Sequence, residues 1–317
     1  MSAESHAKPA SIEKIVIASL LCLAAACQTP NASGLQTSTT QPDMSPIVSG
    51  GTQTLRDVAY VTGGGPQQRL DVYAPVGVRG LPVVMFVHGG EWHHGDKREV
   101  RYKPQFLNER GIVFISVNYR LMDTATHPAQ ASDVASAVRW VHDHAVEFGG
   151  DPAKIVLMGH SAGCHLVTLV GLDPRWLAGV QMKPSDLAGV VSWSGGAFDL
   201  VQKVKDGGLY AGYIRRNFGK EEAGWRDASP MAHVGDGKPM PRFLFVSAEG
   251  DRQASKEATQ KMVGLIRAAG GQAEFAPLPG KDHRSANQDL GKTGDPTGGV
   301  LVRFVRDAAG VFEQTGS

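Results

Sequence analysis

A serine flanked by glycines lies at residues 159–163, which read Gly-His-Ser-Ala-Gly. An apolar run typical of a strand precedes it at residues 155–158, and an apolar helical stretch follows it at residues 165–170. This order of strand, sharp turn and helix exposes a serine hydroxyl above a sheet, and the glycines let the strand and helix pack closely. We therefore predict that Ser161 is a nucleophile; a helix N-cap serine at a strand-to-helix turn is the alternative.

A serine hydroxyl is a poor nucleophile at neutral pH, so a base and an acid that orients this base must accompany Ser161. After a serine on such a turn, they follow in the order acid, then histidine. His283 is the only histidine after residue 251, and it is the predicted base. Asp251 and Glu249 both follow the apolar run at residues 243–246. We predict Asp251 as the acid because it lies deeper in the loop, with Glu249 as the alternative.

Backbone donors are predicted at residues 88–92, which read His-Gly-Gly-Glu-Trp and follow an apolar run at residues 82–87. Glycines in this place let the backbone approach a reacting carbonyl group. The amide N–H groups of Gly90 and Glu91, with that of Ala162, are therefore predicted to stabilise a developing oxyanion. The alternative is a strand-to-helix turn that needs glycine for its shape alone.

The other histidines and the one cysteine near the motif do not suggest a metal site. His93 and His94 are adjacent, and His142 and His144 are two residues apart on a predicted helix, so neither pair converges on one ion. We expect these four side chains to be solvated, and we expect no metal and no other cofactor. Cys164 follows Ser161 on the predicted helix and is expected to be a small buried apolar residue.

The elements that must position these residues are short apolar runs that alternate with helical patterns. Residues 56–61 and 69–73 flank a glycine-rich turn and predict a hairpin. The later runs are too short and too uniformly apolar for an exposed antiparallel sheet, and they are typical of a parallel sheet buried on both faces. These runs are residues 82–87, 112–117, 155–158, 189–193, 243–246 and 273–276. Helical spacing between them predicts right-handed crossovers and an open α/β sheet.

With these motifs the chain resembles a serine carboxylesterase of the α/β-hydrolase superfamily, near the branch of lipases, feruloyl esterases and arylformamidases with an HGG-x-W motif. The matching segments are residues 70–73, 117–121, 127–163, 228–230 and 282–285. The resemblance implies an α/β-hydrolase fold with a mostly parallel central sheet and helices on both faces. It also implies hydrolysis of carboxylic esters by Ser161, His283 and Asp251. Glu91 stands where lipase-like members carry a third glycine, and its carboxylate is expected to disfavour anionic substrates.

An insertion near residues 200–230 separates two predicted strands, and it contains a helical stretch with an apolar face. The residues on that face are Tyr210, Tyr213, Ile214 and Phe218. Such a stripe is usually core, but on the active face of the sheet it can also form a small cap over the substrate pocket. We predict that Tyr213 and Trp92, which is next to the predicted oxyanion donors, line that pocket.

The first 27 residues are predicted to be a signal peptide, because Lys8 and Lys14 precede an apolar run at residues 15–26 that is too short for a permanent membrane anchor. The run ends in alanines before Cys27, which resembles the lipobox of bacterial lipoproteins, although Ala24 stands where leucine is usual. Lipidation of Cys27 would anchor an exported protein at the periplasm or cell surface. Cleavage after a small residue, giving a secreted protein, is the alternative.

The remaining organisation follows from composition. Residues 28–54 are rich in Ser, Thr, Pro and Gly and predict a flexible tether, and residues 55–317 are predicted to form the α/β-hydrolase domain. The chain has 317 residues, with 32 basic and 31 acidic side chains, so it lacks the positive charge of a nucleic-acid-binding protein. Two of its three cysteines lie in the N-terminal apolar run, which excludes a disulfide-stabilised scaffold.

These observations predict an exported serine hydrolase that acts on a small-molecule or polymer-linked ester, with a membrane contact only through a lipid anchor. An arylformamidase-type amide hydrolase is the first alternative. A catalytically silent surface lipoprotein on the same scaffold is the second, since a fold alone does not define an activity. The presence of a nucleophile, an acid and a base in the expected order favours an enzyme.

Overall fold

An eight-stranded sheet forms the centre of the fold. The structure is a computed structural model, and it describes residues 51–235 and 237–311. Its strands are β1 (Thr52–Ala59), β2 (Arg69–Pro75), β3 (Leu81–Val87), β4 (Val113–Val117), β5 (Gly150–His160), β6 (Gly189–Trp193), β7 (Arg242–Ala248) and β8 (Ala273–Leu278). Their order across the sheet is β1-β2-β4-β3-β5-β6-β7-β8. The neighbours from β4 to β8 are parallel, and β1 and β2 form an antiparallel hairpin at one edge.

Helices connect the strands on both faces of the sheet. They are α1 (Lys103–Asn108), α2 (Ala129–His144), α3 (Ala162–Leu172), α4 (Pro174–Ala178), α5 (Leu200–Lys205), α6 (Gly208–Phe218), α7 (Glu222–Asp227), α8 (Gln253–Ala268), α9 (His283–Gln288) and α10 (Gly298–Ala308). This arrangement confirms the predicted α/β architecture with strands and helices in alternation.

Alternation along the strands divides the core into two layers. On β3, Val83, Met85 and Val87 face a cluster that includes side chains of α2, α3 and α8. The intervening residues Val84 and Phe86 face a second cluster with α1 and α10. Because both faces are covered, the strand is apolar at every position rather than at every second one, which is why a continuous apolar run predicted it.

The N-terminal boundary differs slightly from the prediction. The first strand begins at Thr52, whereas the predicted tether extends to residue 54 and the domain begins at residue 55. Thr52 pairs with Pro75 across the hairpin. Backbone hydrogen bonds to β2 therefore extend the strand into polar residues that composition assigns to the tether. The predicted signal peptide, Cys27 and the rest of the tether lie outside the described residues. Within the part of the chain that the structure describes, no helix combines the length and apolar character needed to cross a bilayer.

Candidate active site

Ser161 lies on the sharp turn between the end of β5 and the start of α3, with φ 54° and ψ −116°. Such a conformation is strained for a residue with a side chain, and it persists only where the surroundings impose it. A Cβ atom at Gly159 would lie 2.3 Å from the carbonyl carbon and oxygen of Gly163, and one at Gly163 would lie 2.2 Å from the carbonyl oxygen of Val87. The two glycines of the motif are therefore required by the close approach of strand and helix.

His283 links the serine to an acid. Its Nε2 atom lies 3.0 Å from Ser161 Oγ, and its Nδ1 atom lies 3.0 Å from Asp251 Oδ1. An Nδ1–H that donates to the carboxylate leaves Nε2 free to accept the serine proton. The structure thus brings the three residues singled out in the sequence into one hydrogen-bonded series, although they lie on three separate loops of the sheet edge.

Asp251 occupies the position beside His283, and Glu249 does not. The carboxylate of Asp251 is buried and accepts hydrogen bonds from the amide of Ala248 at 2.8 Å and from Ser194. Burial alone would raise the pKa of Asp251, but the hydrogen bonds from His283, Ser194 and Ala248 outweigh it and hold the pKa below its usual value. Glu249 is exposed and accepts instead from the amide of Gly280 at 2.7 Å.

Ser194 is a member of the site that the sequence did not reveal. Its hydroxyl lies 2.8 Å from each carboxylate oxygen of Asp251 and 3.0 Å from His283 Nδ1, and it has no exposed surface. The residue directly follows β6 and has φ 57°. Its place at the carboxyl end of a parallel strand beside β7 is the signal that could have indicated it, because functional side chains gather at that edge.

Three buried side chains hold the short helix α9, which begins with His283, by donating to its carbonyl groups. His160 Nε2 lies 3.0 Å from the carbonyl of His283, Trp193 Nε1 lies 2.8 Å from that of Ala286, and Lys103 Nζ lies 2.7 Å from that of Asn287. Donors from α1, β5 and β6 therefore fix the helix relative to the sheet.

Burial controls the protonation of the groups around His283. It lowers the pKa of His160 to about 3, with a further contribution from the neighbouring His283, so His160 stays neutral at every pH at which the fold is expected to work. Burial, with a smaller effect of Arg101, lowers the pKa of Lys103 to about 7. Cys164 is fully buried, and burial raises the pKa of its thiol to about 12, which makes it unreactive as a nucleophile.

The loop after β3 presents backbone N–H groups next to the serine. A Cβ atom at Gly89 would lie 2.9 Å from Ser161 Cβ, so only glycine permits this approach. The next three residues have positive φ: 108° at Gly90, 49° at Glu91 and 59° at Trp92. Among the described residues, the amides of Gly90 and Glu91 have no hydrogen-bond acceptor within the protein, and Ala162 is the first residue of α3, where amides lack helical partners.

A cavity of about 510 Å³ opens over Ser161, Asp251 and His283. Its wall includes Tyr210 from the segment of α5 to α7, so this insertion forms part of the pocket, as a cap would. The apolar stripe of α6 otherwise contributes to the core, since Ile214 and Phe218 are buried in the cluster that also contains Trp92. On α6, Tyr210 therefore contributes to the cavity wall, whereas Ile214 and Phe218 contribute to the core.

The predicted pocket residues Trp92 and Tyr213 require a correction. Trp92 has no exposed surface, and its ring packs against His165 and Phe218 at centroid distances of 5.2 Å and 5.0 Å. It is buried under α6 and does not border the cavity. Tyr213 stacks on His93 at 6.4 Å and also lies outside the cavity wall. Tyr210, one turn earlier on α6, occupies the position that the sequence assigned to Tyr213.

Among the described residues, no cluster of three or more His, Cys, Asp or Glu side chains is arranged to hold a metal ion.

Comparison with family models identifies the family of the chain. The family model named BD-FAE matches residues 70–264, which is more than half of the chain. The chain belongs to the BD-FAE family. The match begins on β2 and ends within α8, so it includes the motif at Ser161 and the loop with Asp251, while His283 lies beyond it.

Curated relatives of this BD-FAE protein include a probable isoprenylcysteine alpha-carbonyl methylesterase, ICMEL2, from Arabidopsis thaliana. It is 30% identical over 244 residues, covering 73% of this chain and 57% of the plant protein. Esterase LipC from Mycobacterium tuberculosis is 28% identical over 280 residues, covering 83% of this chain and 69% of LipC. The chain thus spans little more than half of the plant relative and about two thirds of the mycobacterial one.

Solved structures establish the fold. Esterase B from Lactobacillus Rhamnosis matches with a TM-score of 0.67 and 21% identity, over 84% of this chain and 88% of that one. A carbohydrate esterase from gut microbiota matches with a TM-score of 0.67 and 20% identity, over 84% and 99% of the two chains. This BD-FAE protein therefore has the α/β-hydrolase fold that the sequence predicted.

Proposed function

We propose that this BD-FAE protein is a serine hydrolase that cleaves carboxylic esters through an acyl-enzyme on Ser161. The observation that carries the proposal is the hydrogen-bonded series from Ser161 Oγ to His283 Nε2 and from His283 Nδ1 to Asp251, with 3.0 Å at each step. The printed names of the curated relatives support the same reaction, since they include esterase, methylesterase and carboxylic ester hydrolase.

In the first half of the reaction, Ser161 Oγ attacks the ester carbonyl carbon while its proton passes to His283 Nε2. Asp251 stabilises the imidazolium that forms and keeps Nδ1 protonated, so that Nε2 faces the serine. The carbonyl oxygen becomes an oxyanion, and the free amides of Gly90, Glu91 and Ala162 donate to it. One donor of this kind typically contributes about 3 to 4 kcal/mol to lowering the barrier.

The tetrahedral intermediate then collapses. The C–O bond of the ester breaks, His283 returns its proton to the departing alkoxide, and the alcohol leaves an acyl group on Ser161. In the second half a water molecule gives its proton to His283 and attacks the acyl carbon. Collapse of this second intermediate releases the carboxylic acid and restores the Ser161 hydroxyl.

Covalent labelling tests the nucleophile. An organophosphate or a sulfonyl fluoride is expected to modify Ser161 stoichiometrically, with loss of 4-nitrophenyl acetate hydrolysis in parallel, and peptide mass spectrometry locates the adduct. Ser161→Ala should abolish both labelling and activity. Ser255→Ala is the matched control, since Ser255 lines the same cavity, and this variant should still be labelled at residue 161. Labelling at another serine, or full activity of Ser161→Ala, would contradict the proposal.

The reaction class is tested by a substrate panel of short acyl, long acyl, feruloyl and formamide compounds. Hydrolysis of esters, with little hydrolysis of the aryl formamide, is the expected result. A preference for the formamide would instead indicate an arylformamidase-type enzyme. Absence of turnover and of labelling would indicate a silent lipoprotein on the same scaffold.

We also propose that the protein is exported and anchored through acylated Cys27. The support is the sequence of the first 27 residues, in which basic residues, an apolar run and small residues precede the cysteine. Expression of the full chain in a bacterial host should give a mature protein that starts at residue 27, carries lipid by mass spectrometry and sediments with membranes. Cys27→Ala should be released into the soluble fraction. A mature chain without lipid would leave a secreted enzyme.

A further inference from the structure

Two cationic side chains face the cavity over Ser161 and come from different elements. Lys203 belongs to α5, and Arg252 directly follows Asp251 at the start of α8. Within the described part of the chain, neither Lys203 Nζ nor the Arg252 guanidinium has a hydrogen bond or an ion pair with a protein group. Lys203 is partly buried and Arg252 is exposed, and both line the cavity wall.

The carboxylates that share the cavity have partners within the protein. Glu91 lies 3.4 Å from His94 Nε2, and Asp206 accepts a hydrogen bond from Gln202 Nε2 at 2.8 Å. The cations of the cavity are therefore the groups that remain free to bind a ligand. Glu91 still opposes an anion in this cavity, as the sequence predicted, and its substitution is one of the tests below.

The environment of Lys203 favours an added negative charge. Burial lowers the pKa of Lys203; Asp206 opposes this effect, and the nearby positive charge of Arg252 reinforces it. An anion bound beside Lys203 and Arg252 would offset the loss of hydration and the repulsion between the two cations. Arg252 offers a planar guanidinium that can bind a carboxylate through two parallel hydrogen bonds.

The start of α8 also favours binding of an anion in the cavity, by a smaller amount than the two cations. This helix has 16 residues, no acidic residue in its first turn and no side-chain cap, and Ala254 and Ser255 of that turn line the cavity. The positive end of its dipole therefore faces the same space as the two cations.

We propose that the natural ester carries an anionic group, of which a carboxylate is the simplest, bound by Lys203 and Arg252 while Ser161 attacks the ester carbonyl. The proposal rests on the ester hydrolysis proposed above and adds the class of substrate. Lys203, Arg252 and Ser161 line one cavity of about 510 Å³, so one substrate bound there can contact all three.

Two matched pairs of esters test the substrate class. In the first pair the charge is on the acyl side: mono-(4-nitrophenyl) adipate, with a free carboxylate, against neutral 4-nitrophenyl heptanoate. In the second the charge is on the leaving group: 3-carboxy-4-nitrophenyl acetate against 4-nitrophenyl acetate. The measurement is the ratio of kcat/KM for the anionic and neutral members, corrected for chemical hydrolysis. A ratio of about ten or more is expected in one pair, and that pair identifies the side on which the charge lies.

Substitutions then test the two cations. Lys203→Gln and Arg252→Gln should each lower the ratio about tenfold, through a higher KM for the anionic ester, and high salt should lower it as well. Glu91→Gln should raise the ratio because it removes an opposing charge. Lys205→Gln is the matched control, because Lys205 lies on the same helix but is exposed and outside the cavity wall, and its ratio should equal that of the wild type.

The outcomes separate the two proposals. Ratios near or below one in both pairs, or wild-type ratios in Lys203→Gln and Arg252→Gln, would overturn the anionic substrate class while ester hydrolysis stands. Absence of turnover for all four esters, together with absence of labelling at Ser161, would overturn ester hydrolysis, and the substrate class with it.

Discussion

At Ser194 the backbone has φ 57°, and the hydroxyl contacts both Asp251 and His283 in a fully buried position. A non-glycine residue in this region of φ costs on the order of 1 kcal/mol or more, so the surroundings must favour it. The hydroxyl holds the carboxylate in line with His283 and can also accept from Nδ1–H. We regard Ser194 as a positioning residue, because it acts on the base and does not reach Ser161.

Removal of the Ser194 hydroxyl is expected to slow the reaction without weakening substrate binding. A hydrogen bond to a charged group contributes about 1.5 to 3 kcal/mol, so kcat should fall roughly 10- to 100-fold in Ser194→Ala with KM little changed. Ser194→Gly should lose the same activity but unfold at higher urea concentration than Ser194→Ala, because glycine tolerates the positive φ. Ser192→Ala, a change at another buried serine of β6, is the control. Wild-type kcat in Ser194→Ala would contradict the assignment.

The two candidate acids make a second test at single residues. Asp251→Asn should leave the fold intact and lower kcat by several orders of magnitude, on the order of 10⁴ where such triads have been measured. Glu249→Gln should have little effect, since the Glu249 carboxylate accepts a hydrogen bond from the Gly280 amide of the neighbouring loop rather than from His283. The measurement is kcat for both variants, with circular dichroism to verify folding.

Because the carboxylate acts through the base, Asp251→Asn combined with His283→Ala should be barely slower than His283→Ala alone. Additive losses in the double variant, or a crippled Glu249→Gln beside an active Asp251→Asn, would show that Asp251 is not the acid.

Single residues were predictable where the chemistry restricts both their type and their order. The serine motif, the last histidine and the acidic loop after β7 meet this condition, and the structure brings Ser161, His283 and Asp251 together. Ser194 was missed because serine is common and only the pairing of β6 with β7 places it beside Asp251. Trp92 was misplaced because the sequence gives its proximity to the serine but not the direction of its side chain.

Among the elements, β5 and α3 depend on the contact between strand and helix at Ser161. The contact distances at Gly163 leave no room for a methyl group beside the carbonyl of Val87. By contrast, a Cβ atom at Gly264, in the middle of α8, would meet nothing within 4 Å. Glycine is therefore required by a close backbone contact at residue 163 but not at residue 264. Substitution of each by alanine distinguishes the effect of that contact on stability from the effect of helix propensity.

Gly163→Ala is expected to destabilise the protein by about 3 kcal/mol or more, since the clash is with backbone atoms that can move only with the sheet. The serine turn should shift as well, so kcat should fall. Gly264→Ala should raise stability by about 0.5 to 1 kcal/mol and leave kcat unchanged. Urea unfolding monitored by circular dichroism, with an esterase assay on each variant, provides the comparison. Equal effects of the two substitutions would show that the approach of α3 to β3 is not restrictive.

Strands were predictable from apolar runs because both faces of the sheet are covered, but their ends were not. β5 extends from residue 150 to residue 160, whereas its apolar part covers only residues 155–158. The preceding residues include the polar, partly exposed Asp151 and Lys154, and they are included through pairing of Gly150 with Leu81. The position of α6 over Trp92 also depends on contacts between distant segments, which periodicity within one helix does not encode.

For the whole molecule, the buried histidines His88, His160 and His165, with the partly buried His127, influence how stability responds to acid. Burial lowers the pKa of His88 and His127 to about 4 and that of His160 and His165 to about 3. In the unfolded chain a histidine binds its proton near pH 6.5. The unfolded state therefore binds more protons than the folded state between about pH 6.5 and pH 4. The free energy of unfolding is therefore unaffected by these histidines above pH 6.5, and their protonation in the unfolded chain lowers it as the pH falls through this window.

His165 isolates the contribution of one such group. Its Nε2 atom lies 2.8 Å from the carbonyl of Ala228, and a glutamine amide in its place can donate to the same oxygen.

As the pH falls, each buried neutral histidine lowers the free energy of unfolding by up to about 1.4 kcal/mol per pH unit. The slope between pH 6 and pH 4, measured by urea unfolding, should therefore be shallower by up to that amount in His165→Gln. His142→Gln, at a partly exposed site on α2, is the matched control variant. Carboxylates that titrate in the same range are common to all three proteins, so a wild-type slope in His165→Gln would show that this histidine is protonated in the folded state.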